Sequence, residues 1–102
     1  MNVTIVTFDL PRPESLATMT EVFRSTAPKY LSVPGLLRKN YWISEDGRQA
    51  GGIYFWSTRA DAERLYTAEW KRVVEAKYGS APRIEYLLIP VMVENGEIGM
   101  ST

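Results

Sequence analysis

The sequence contains no cysteine and no histidine, and its formal charges sum to zero. The lack of cysteine excludes disulfides, thiolate nucleophiles and thiolate metal sites. The lack of histidine removes the usual catalytic base and the commonest metal ligand, so we expect no metal site. With 12 basic and 12 acidic residues, the chain has no electrostatic footprint for nucleic acid. Any chemistry must therefore use lysine, tyrosine, arginine, carboxylates or backbone groups.

Long hydrophobic runs are also missing. No stretch approaches the 18 apolar residues of a membrane span, and the first residues carry no basic segment followed by a long apolar one. We therefore expect neither export nor membrane insertion, and we predict a cytoplasmic protein. A length of 102 residues predicts a single domain over residues 1–102. Aromatic residues make up 12% of the chain, which is more than a minimal core requires and indicates a pocket or a subunit interface.

Hydrophobic periodicity and chain-breaking residues predict the order β-α-β-β-α-β. The predicted elements are a strand over 3–10, a helix over 14–26, strands over 36–43 and 51–56, a helix over 58–78 and a strand over 82–93. Pro13 fits the first position of the first helix. Because of Pro28, residues 29–33 form either a new short turn of helix or a kinked continuation.

Two of these boundaries carry a further prediction. Thr67 could cap a second segment, so the second helix has a possible break at 67–69. Pro90 implies an edge position or a bulge in the last strand. Asn95 and Gly96 then turn the chain.

The strands over 36–43 and 51–56 form a predicted hairpin across residues 45–48, and its register follows if Asp46 and Gly47 make a two-residue loop. The resulting pairs are Tyr41 with Gly52, Lys39 with Tyr54, Leu37 with Trp56, Trp42 with Gly51, Asn40 with Ile53 and Arg38 with Phe55. Each glycine then faces an aromatic ring, which explains the glycine pair by packing. A nucleotide loop is rejected because the G-x-G-x-x-G spacing and a following helix are missing.

The element order is typical of an α+β, ferredoxin-like fold with both helices on one face of an antiparallel sheet. Two helices cover only one face of such a sheet. The strands over 3–10, 51–56 and 82–93 are nevertheless apolar on both faces, so the second face must be buried by something else. We predict a homodimer whose sheets face each other.

The chain resembles the YdhR-like mono-oxygenases of the dimeric α+β barrel superfamily, which are related to the antibiotic-biosynthesis mono-oxygenases. The resemblance rests on residues 33–39 (VPGLLRK), residues 50–54 (AGGIY) with Trp56, Ala62, Tyr66, Glu69, Trp70, Tyr78, Gly79, Ile84, Tyr86, Pro90 and Val91. It implies a homodimeric barrel that oxygenates a small aromatic or polyketide-like compound without metal or flavin. In such a reaction an acidic phenol or carbon acid is deprotonated, and its anion reacts with dioxygen.

The side chain that we predict as catalytic base or anion stabiliser is Lys39, because burial would lower its pKa and an anionic substrate would pair with it. The predicted substrate-binding residues offer an apolar body with one polar group each, and they are Tyr41, Tyr54, Tyr66, Trp70 and Tyr86. Alternatively these rings form an ordinary core, with Lys39 reaching solvent or paired with a carboxylate.

Two other functions fit the same residues. One is a homodimeric binding module that holds a hydrophobic metabolite without turning it over. The other is a domain whose aromatic residues serve only the dimer interface.

Overall fold

The computed structural model describes residues 1–100, so Ser101 and Thr102 lie outside the described part and a single domain over 1–102 stays a prediction. The elements in chain order are β1 (Asn2–Asp9), α1 (Leu16–Thr26), a 3-10 helix (Ala27–Tyr30), β2 (Leu36–Ile43), β3 (Gln49–Trp56), α2 (Arg59–Leu65), α3 (Ala68–Tyr78), β4 (Arg83–Leu88), β5 (Val91–Glu94) and β6 (Glu97–Met100).

Strands β1 to β4 form one antiparallel sheet in the order β2-β3-β1-β4. Alternate side chains of β1 and β3, among them Val6, Phe8 and Trp56, are buried in one core cluster. Helical residues such as Met19 and Val74 belong to the same cluster, so the helices cover this face of the sheet. The predicted α+β, ferredoxin-like fold is confirmed.

The hairpin register is confirmed for five of the six predicted pairs, including Lys39 with Tyr54 and Tyr41 with Gly52. The sixth prediction is wrong, because Trp56 pairs with Leu36 and the register shifts between Leu36 and Arg38. Leu37 is an extra residue on β2 at this point, as in a β-bulge.

The loop of this hairpin covers the predicted connection, residues 45–48, and is not the two-residue turn from which the register was counted, although the register is unchanged. The N–H of Ser44 donates to the carbonyl of Gln49, and the N–H of Gly47 donates back to the carbonyl of Ser44. The loop therefore spans residues 45–48, with Gly47 at φ 72°. Adding one residue on each side of the predicted two-residue turn leaves every pair opposite the same partner.

The first helix begins later than predicted. Ser15 is its N-cap, with Oγ accepting from the N–H of Thr18 at 3.1 Å, so Pro13 lies before the helix and its prediction as the first helical residue is wrong. The hydroxyl of Ser15 satisfies the N–H of Thr18, which has no backbone partner in the first turn of the helix. A separate 3-10 helix follows α1 directly, so residues 29 and 30 lie in a new short turn of helix and residues 31–33 lie outside it.

The predicted break in the second helix is confirmed. Segment α2 ends at Leu65, and Thr67 caps α3 through a hydrogen bond from the N–H of Trp70 to its Oγ1 at 3.1 Å. The end of α3 is set by Gly79, whose φ of 93° is a left-handed conformation that favours glycine. The break falls at Tyr66, the C-cap of α2, whose backbone has left the helical conformation.

The last predicted strand is split in two. Strand β4 ends at Leu88, and Pro90, which has no N–H to donate, separates it from β5. Strand β5 pairs with β6 across a turn at Asn95 and Gly96, apart from the main sheet. The prediction of one strand over 82–93 is therefore wrong, whereas the turn is confirmed.

The face of the sheet opposite the helices carries a band of apolar side chains, which we call the open face. Its residues are Val3, Ile5, Trp42, Ile53, Phe55 and Leu87. Of these, Leu87 is exposed, Val3 is buried and the remainder are partly buried.

The Gly51→Ala substitution should destabilise the fold by about 3 kcal/mol or more, because a Cβ at this position would collide with the backbone carbonyl oxygen of Val6. Urea denaturation followed by circular dichroism measures the effect. The control is Gly99→Ala, whose Cβ would meet nothing closer than 3.6 Å and should change stability by about 0.5 kcal/mol or less. Equal midpoints for the two variants would contradict the close approach at Gly51.

Candidate functional site

The ammonium of Lys39 lies against the faces of three tyrosine rings, which we call the tyrosine cage: Tyr30, Tyr41 and Tyr54. The Nζ atom is 3.4 Å from the ring centroid of Tyr30, 3.9 Å from that of Tyr41 and 4.6 Å from that of Tyr54. Ring faces attract cations, with a gain of about 0.5–2 kcal/mol for a good contact. The cage therefore holds Lys39 in place without an acidic partner.

The sheet geometry brings these groups together. Tyr41 follows Lys39 by two residues on β2 and therefore shares its face, and Tyr54 lies directly opposite Lys39 on β3. Tyr30 reaches the same point from the end of the 3-10 helix.

The glycine pair makes room for this arrangement. A Cβ on Gly52 would lie 2.8 Å from Cε1 of Tyr54 and 3.2 Å from Cε of Lys39. The space therefore serves Tyr54 and Lys39 more directly than the ring of Tyr41, which the sequence pattern had placed over Gly52. At Gly51 the neighbouring ring is Trp42, as predicted, with Cζ2 at 3.1 Å from the position of a Cβ.

Burial, with a smaller contribution from the positive charge of Lys29, lowers the pKa of Lys39 to about 7. Lys39 makes no ion pair with any carboxylate that the structure describes, so the predicted alternative of a paired lysine does not hold among those side chains. A lysine with this pKa is partly neutral near neutral pH and can accept a proton.

The hydroxyls around Lys39 stay protonated and serve as hydrogen-bond donors. Burial raises the pKa of Tyr54 and of Tyr41 above the ordinary value for tyrosine. The Tyr41 hydroxyl donates to Oγ1 of Thr26 at 2.8 Å, since the hydrogen of Thr26 is directed at the carbonyl of Phe23. These groups orient and stabilise, whereas the amine of Lys39 is the basic group.

A cavity of about 80 Å³ lies beside the cage, between the sheet and the helices. Its lining is mostly aromatic and aliphatic, with lysine as the charged component. The lining residues are Val6, Phe8, Phe23, Thr26, Lys29, Tyr30, Lys39, Tyr41, Gly51, Gly52, Tyr54, Trp70, Val73, Val74, Lys77 and Tyr78. A cavity of roughly 150 Å³ holds a benzene ring, so a ring enters this one only if a side chain moves.

The structure brings four of the six predicted site residues to this cavity: Lys39, Tyr41, Tyr54 and Trp70. The other two, Tyr66 and Tyr86, do not line it.

Tyr66 is buried behind Trp70, with ring centroids 4.8 Å apart, and its hydroxyl is 2.5 Å from Oγ1 of Thr4. The ring of Tyr86 lies under the guanidinium of Arg59 at 4.1 Å from its centroid. Tyr66 therefore supports the wall of the cavity from behind, while Tyr86 packs on the far side of Tyr66, with ring centroids 6.4 Å apart.

Sequence analysis missed several residues of the cavity, notably Tyr30, Phe23, Tyr78 and Lys29. Tyr30 falls in the segment after Pro28, whose conformation the pattern left open, so its direction was undetermined. Phe23 lies on the buried side of α1, where helical spacing indicates only core packing, and its ring stacks on Tyr41 at 4.6 Å. Tyr78 contributes to the family resemblance and ends the predicted helix, but nothing local places its ring, which stacks on Phe8 at 4.1 Å.

The sequence family described as "Putative mono-oxygenase ydhR" matches residues 5–85, which is more than half of the chain. The protein belongs to this family. The resemblance that the sequence motifs predicted is thereby confirmed. A search of curated protein sequences finds no significant match to the chain.

Solved structures share the fold of this YdhR family member at low identity. An antibiotic biosynthesis monooxygenase is 18% identical with a TM-score of 0.63, over 87% of this chain and 98% of its own. The monooxygenase ActVA-Orf6 of Streptomyces coelicolor, in complex with Nanaomycin D, is 18% identical with a TM-score of 0.69. The match covers 91% of this chain and 90% of ActVA-Orf6. SnoaB from Streptomyces nogalater, a cofactor-independent oxygenase, is 20% identical with a TM-score of 0.59. The match covers 86% of this chain and 92% of SnoaB.

Within the described residues, the helices are all too short or too polar to cross a lipid bilayer.

The low pKa of Lys39 predicts a pH-dependent stability. Between pH 7 and about 10.4, the unfolded chain holds a proton on this lysine that the folded chain releases, so stability should rise with pH. From pH 7 to 9, the unfolding free energy of the wild type should gain about 2 kcal/mol relative to Lys39→Met.

Urea denaturation at several pH values measures this difference, with Lys71→Met as a control in which an exposed lysine is removed. A direct check is the ¹³Cε chemical shift of Lys39, which should titrate with a midpoint near 7. If the unfolding free energies of the wild type and Lys39→Met changed equally with pH, the pKa of Lys39 would not be lowered by folding.

Proposed function

We propose that this YdhR family member is a cofactor-independent mono-oxygenase that acts on a small aromatic or polyketide-like compound. The observation that carries the proposal is the amine of Lys39, lowered in pKa and held in an aromatic pocket without an acidic partner among the side chains that the structure describes. The family description and the fold shared with a cofactor-independent oxygenase support the same reaction class. Nanaomycin D bound to ActVA-Orf6 favours a small organic molecule as the ligand.

The first step of the proposed reaction is a proton transfer. The neutral amine of Lys39 takes a proton from an acidic phenol or carbon acid, and the resulting ammonium pairs with the anion left behind. Burial of the amine makes this transfer possible at neutral pH, because an ordinary lysine with a pKa of about 10.4 would already hold its proton.

The second step uses dioxygen as the oxidant. The substrate anion gives electrons to dioxygen and forms a carbon–oxygen bond, and the ammonium of Lys39 returns its proton to the peroxide. When the O–O bond breaks, one oxygen atom stays in the product as a carbonyl and the other leaves as water. For a CH₂ group the sum is substrate plus dioxygen to ketone plus water, with no other reductant.

The aromatic walls have two tasks in this mechanism. Rings such as Tyr54 and Trp70 exclude water and provide flat apolar surfaces for a planar substrate. The indole N–H of Trp70 donates to the hydroxyl of Tyr30 at 3.2 Å, which fixes both rings at the edge of the pocket. Water exclusion also protects the reactive anion from being reprotonated.

We also propose that the open face of the sheet pairs with the same face of a second copy. Apolar side chains such as Ile53 and Phe55 stand on this face with no helix above them. A self-complementary patch of this kind is typical of a twofold dimer. The helix side, which holds Lys39, stays free of the proposed interface.

Oxygen consumption tests the enzymatic function. Purified protein with anthrone-type or polyphenol compounds should take up dioxygen, and Lys39→Met should lower kcat/KM by about 10²- to 10⁴-fold because it removes the base. The rate should rise with pH through about 7 in the wild type, as the amine of Lys39 becomes neutral. Lys71→Met, which alters an exposed lysine outside the pocket, is the matched control.

No uptake across a broad panel would count against catalysis, as would a Lys39→Met variant indistinguishable from the wild type. Ligand-dependent thermal shifts without turnover would favour the alternative of a binding module.

Analytical ultracentrifugation at micromolar concentration tests the dimer. The wild type should sediment at twice the chain mass of 11.6 kDa, and Ile53→Asp should dissociate it by placing a charge in the apolar face. Leu31→Asp is the control, since Leu31 is highly exposed and lies outside the open face. A wild type that sediments as a monodisperse monomer would overturn the facing-sheet arrangement.

A further inference from the structure

The lining of the cavity carries charge of one sign. Lys29, Lys39 and Lys77 line it, and no Asp or Glu whose side chain the structure describes does so. Lys39 is largely covered by the tyrosine cage, whereas Lys29 and Lys77 are exposed and therefore lie at the solvent side of the cavity. Lys29 comes from the 3-10 helix and Lys77 from the last turn of α3, so two separate elements supply the positive charge.

These two outer lysines have no acidic partner in the described part of the chain. Arginines elsewhere on the surface do form ion pairs, for example Arg59 with Glu63 and Arg83 with Asp9. Lys29 is also close enough to Lys39 to lower its pKa, so the positive charge at the solvent side acts on the ammonium of Lys39 inside the pocket. An anion bound at the solvent side would neutralise this repulsion.

The small size of the cavity adds a second argument. At about 80 Å³ the cavity cannot take a ring unless a side chain moves, and Lys39, on a flexible stem inside the tyrosine cage, can make this room. Moving it out of the cage forfeits three ring contacts. A neutral ring compound offers only apolar contacts in exchange, whereas an anionic one adds contacts with Lys29 and Lys77.

We propose that the substrate is an aromatic compound with a permanent anionic group, of which a carboxylate is the simplest, on the edge that faces solvent. Lys29 and Lys77 are then specificity-determining residues that hold this group, while the ring lies among the aromatic side chains. This inference rests on the proposed function, in which Lys39 takes a proton from an acidic position of the substrate. The carboxylate itself takes no part in the oxidation.

Isothermal titration with two matched probes tests the proposal: 2-naphthoate and its neutral isostere 2-naphthamide, neither of which carries an oxidisable phenol. At low ionic strength the wild type should bind 2-naphthoate about fivefold to tenfold more tightly, as expected for two exposed charge contacts. The double variant Lys29→Gln/Lys77→Gln should lose most of this preference. Lys71→Gln, an exposed lysine of α3 that does not line the cavity, should retain it.

Equal affinity for the two probes would overturn the proposal, as would a preference that survives the double substitution or binding of neither probe up to its solubility limit. Added salt should weaken the preference of the wild type, because the outer lysines are screened. A protein that prefers the anion but consumes no dioxygen would refute the mono-oxygenase and keep the anion site. Equal kcat/KM values for neutral and carboxylated phenols would refute the anion site and keep the mono-oxygenase.

Discussion

Two missing Cβ atoms at the centre of the sheet are the constraint on which the rest of the structure depends. At Gly51 the backbone of β3 approaches the carbonyl of Val6 too closely for any side chain. At Gly52 the space that a methyl group would fill is taken by Tyr54 and Lys39. The lack of a Cβ at Gly51 allows β1 and β3 to approach each other closely. The lack of a Cβ at Gly52 leaves a hollow on the helix side of the sheet. A lysine can be buried there because aromatic carbon, rather than water or carboxylate, surrounds its charged end.

The chemistry of Lys39 results from two opposed effects. Removal from water disfavours the ammonium and lowers its pKa, while the three ring faces favour the ammonium and keep it in position. A carboxylate partner would have kept the proton on the lysine, whereas a fully apolar site would have expelled the side chain to solvent. The tyrosine cage lies between these extremes and produces an amine that is both ordered and basic near neutral pH.

The sequence predicts the strands and most of the hairpin register because strand alternation and turn residues are local signals. Lys39, Tyr41 and Tyr54 could be placed together for this reason: two share a strand and the third is opposite. Tyr30 could not, because its direction depends on how the chain continues past Pro28. The bulge at Leu37 is likewise decided by tertiary pairing, to which hydrophobic pattern is blind, whereas the split at Pro90 has a local cause in the missing N–H of proline.

Strand β1 pairs along both of its edges with partners far away in sequence: Asn2 lies opposite Trp56 on one side and Leu88 on the other. During synthesis the first strand therefore emerges long before either neighbour exists. The sheet is complete only once the chain reaches β4, and contacts of such large sequence separation slow folding. Until β3 has been made, Val6 and Phe8 have no sheet around them, so the nascent chain exposes an apolar strand while about 50 further residues are added.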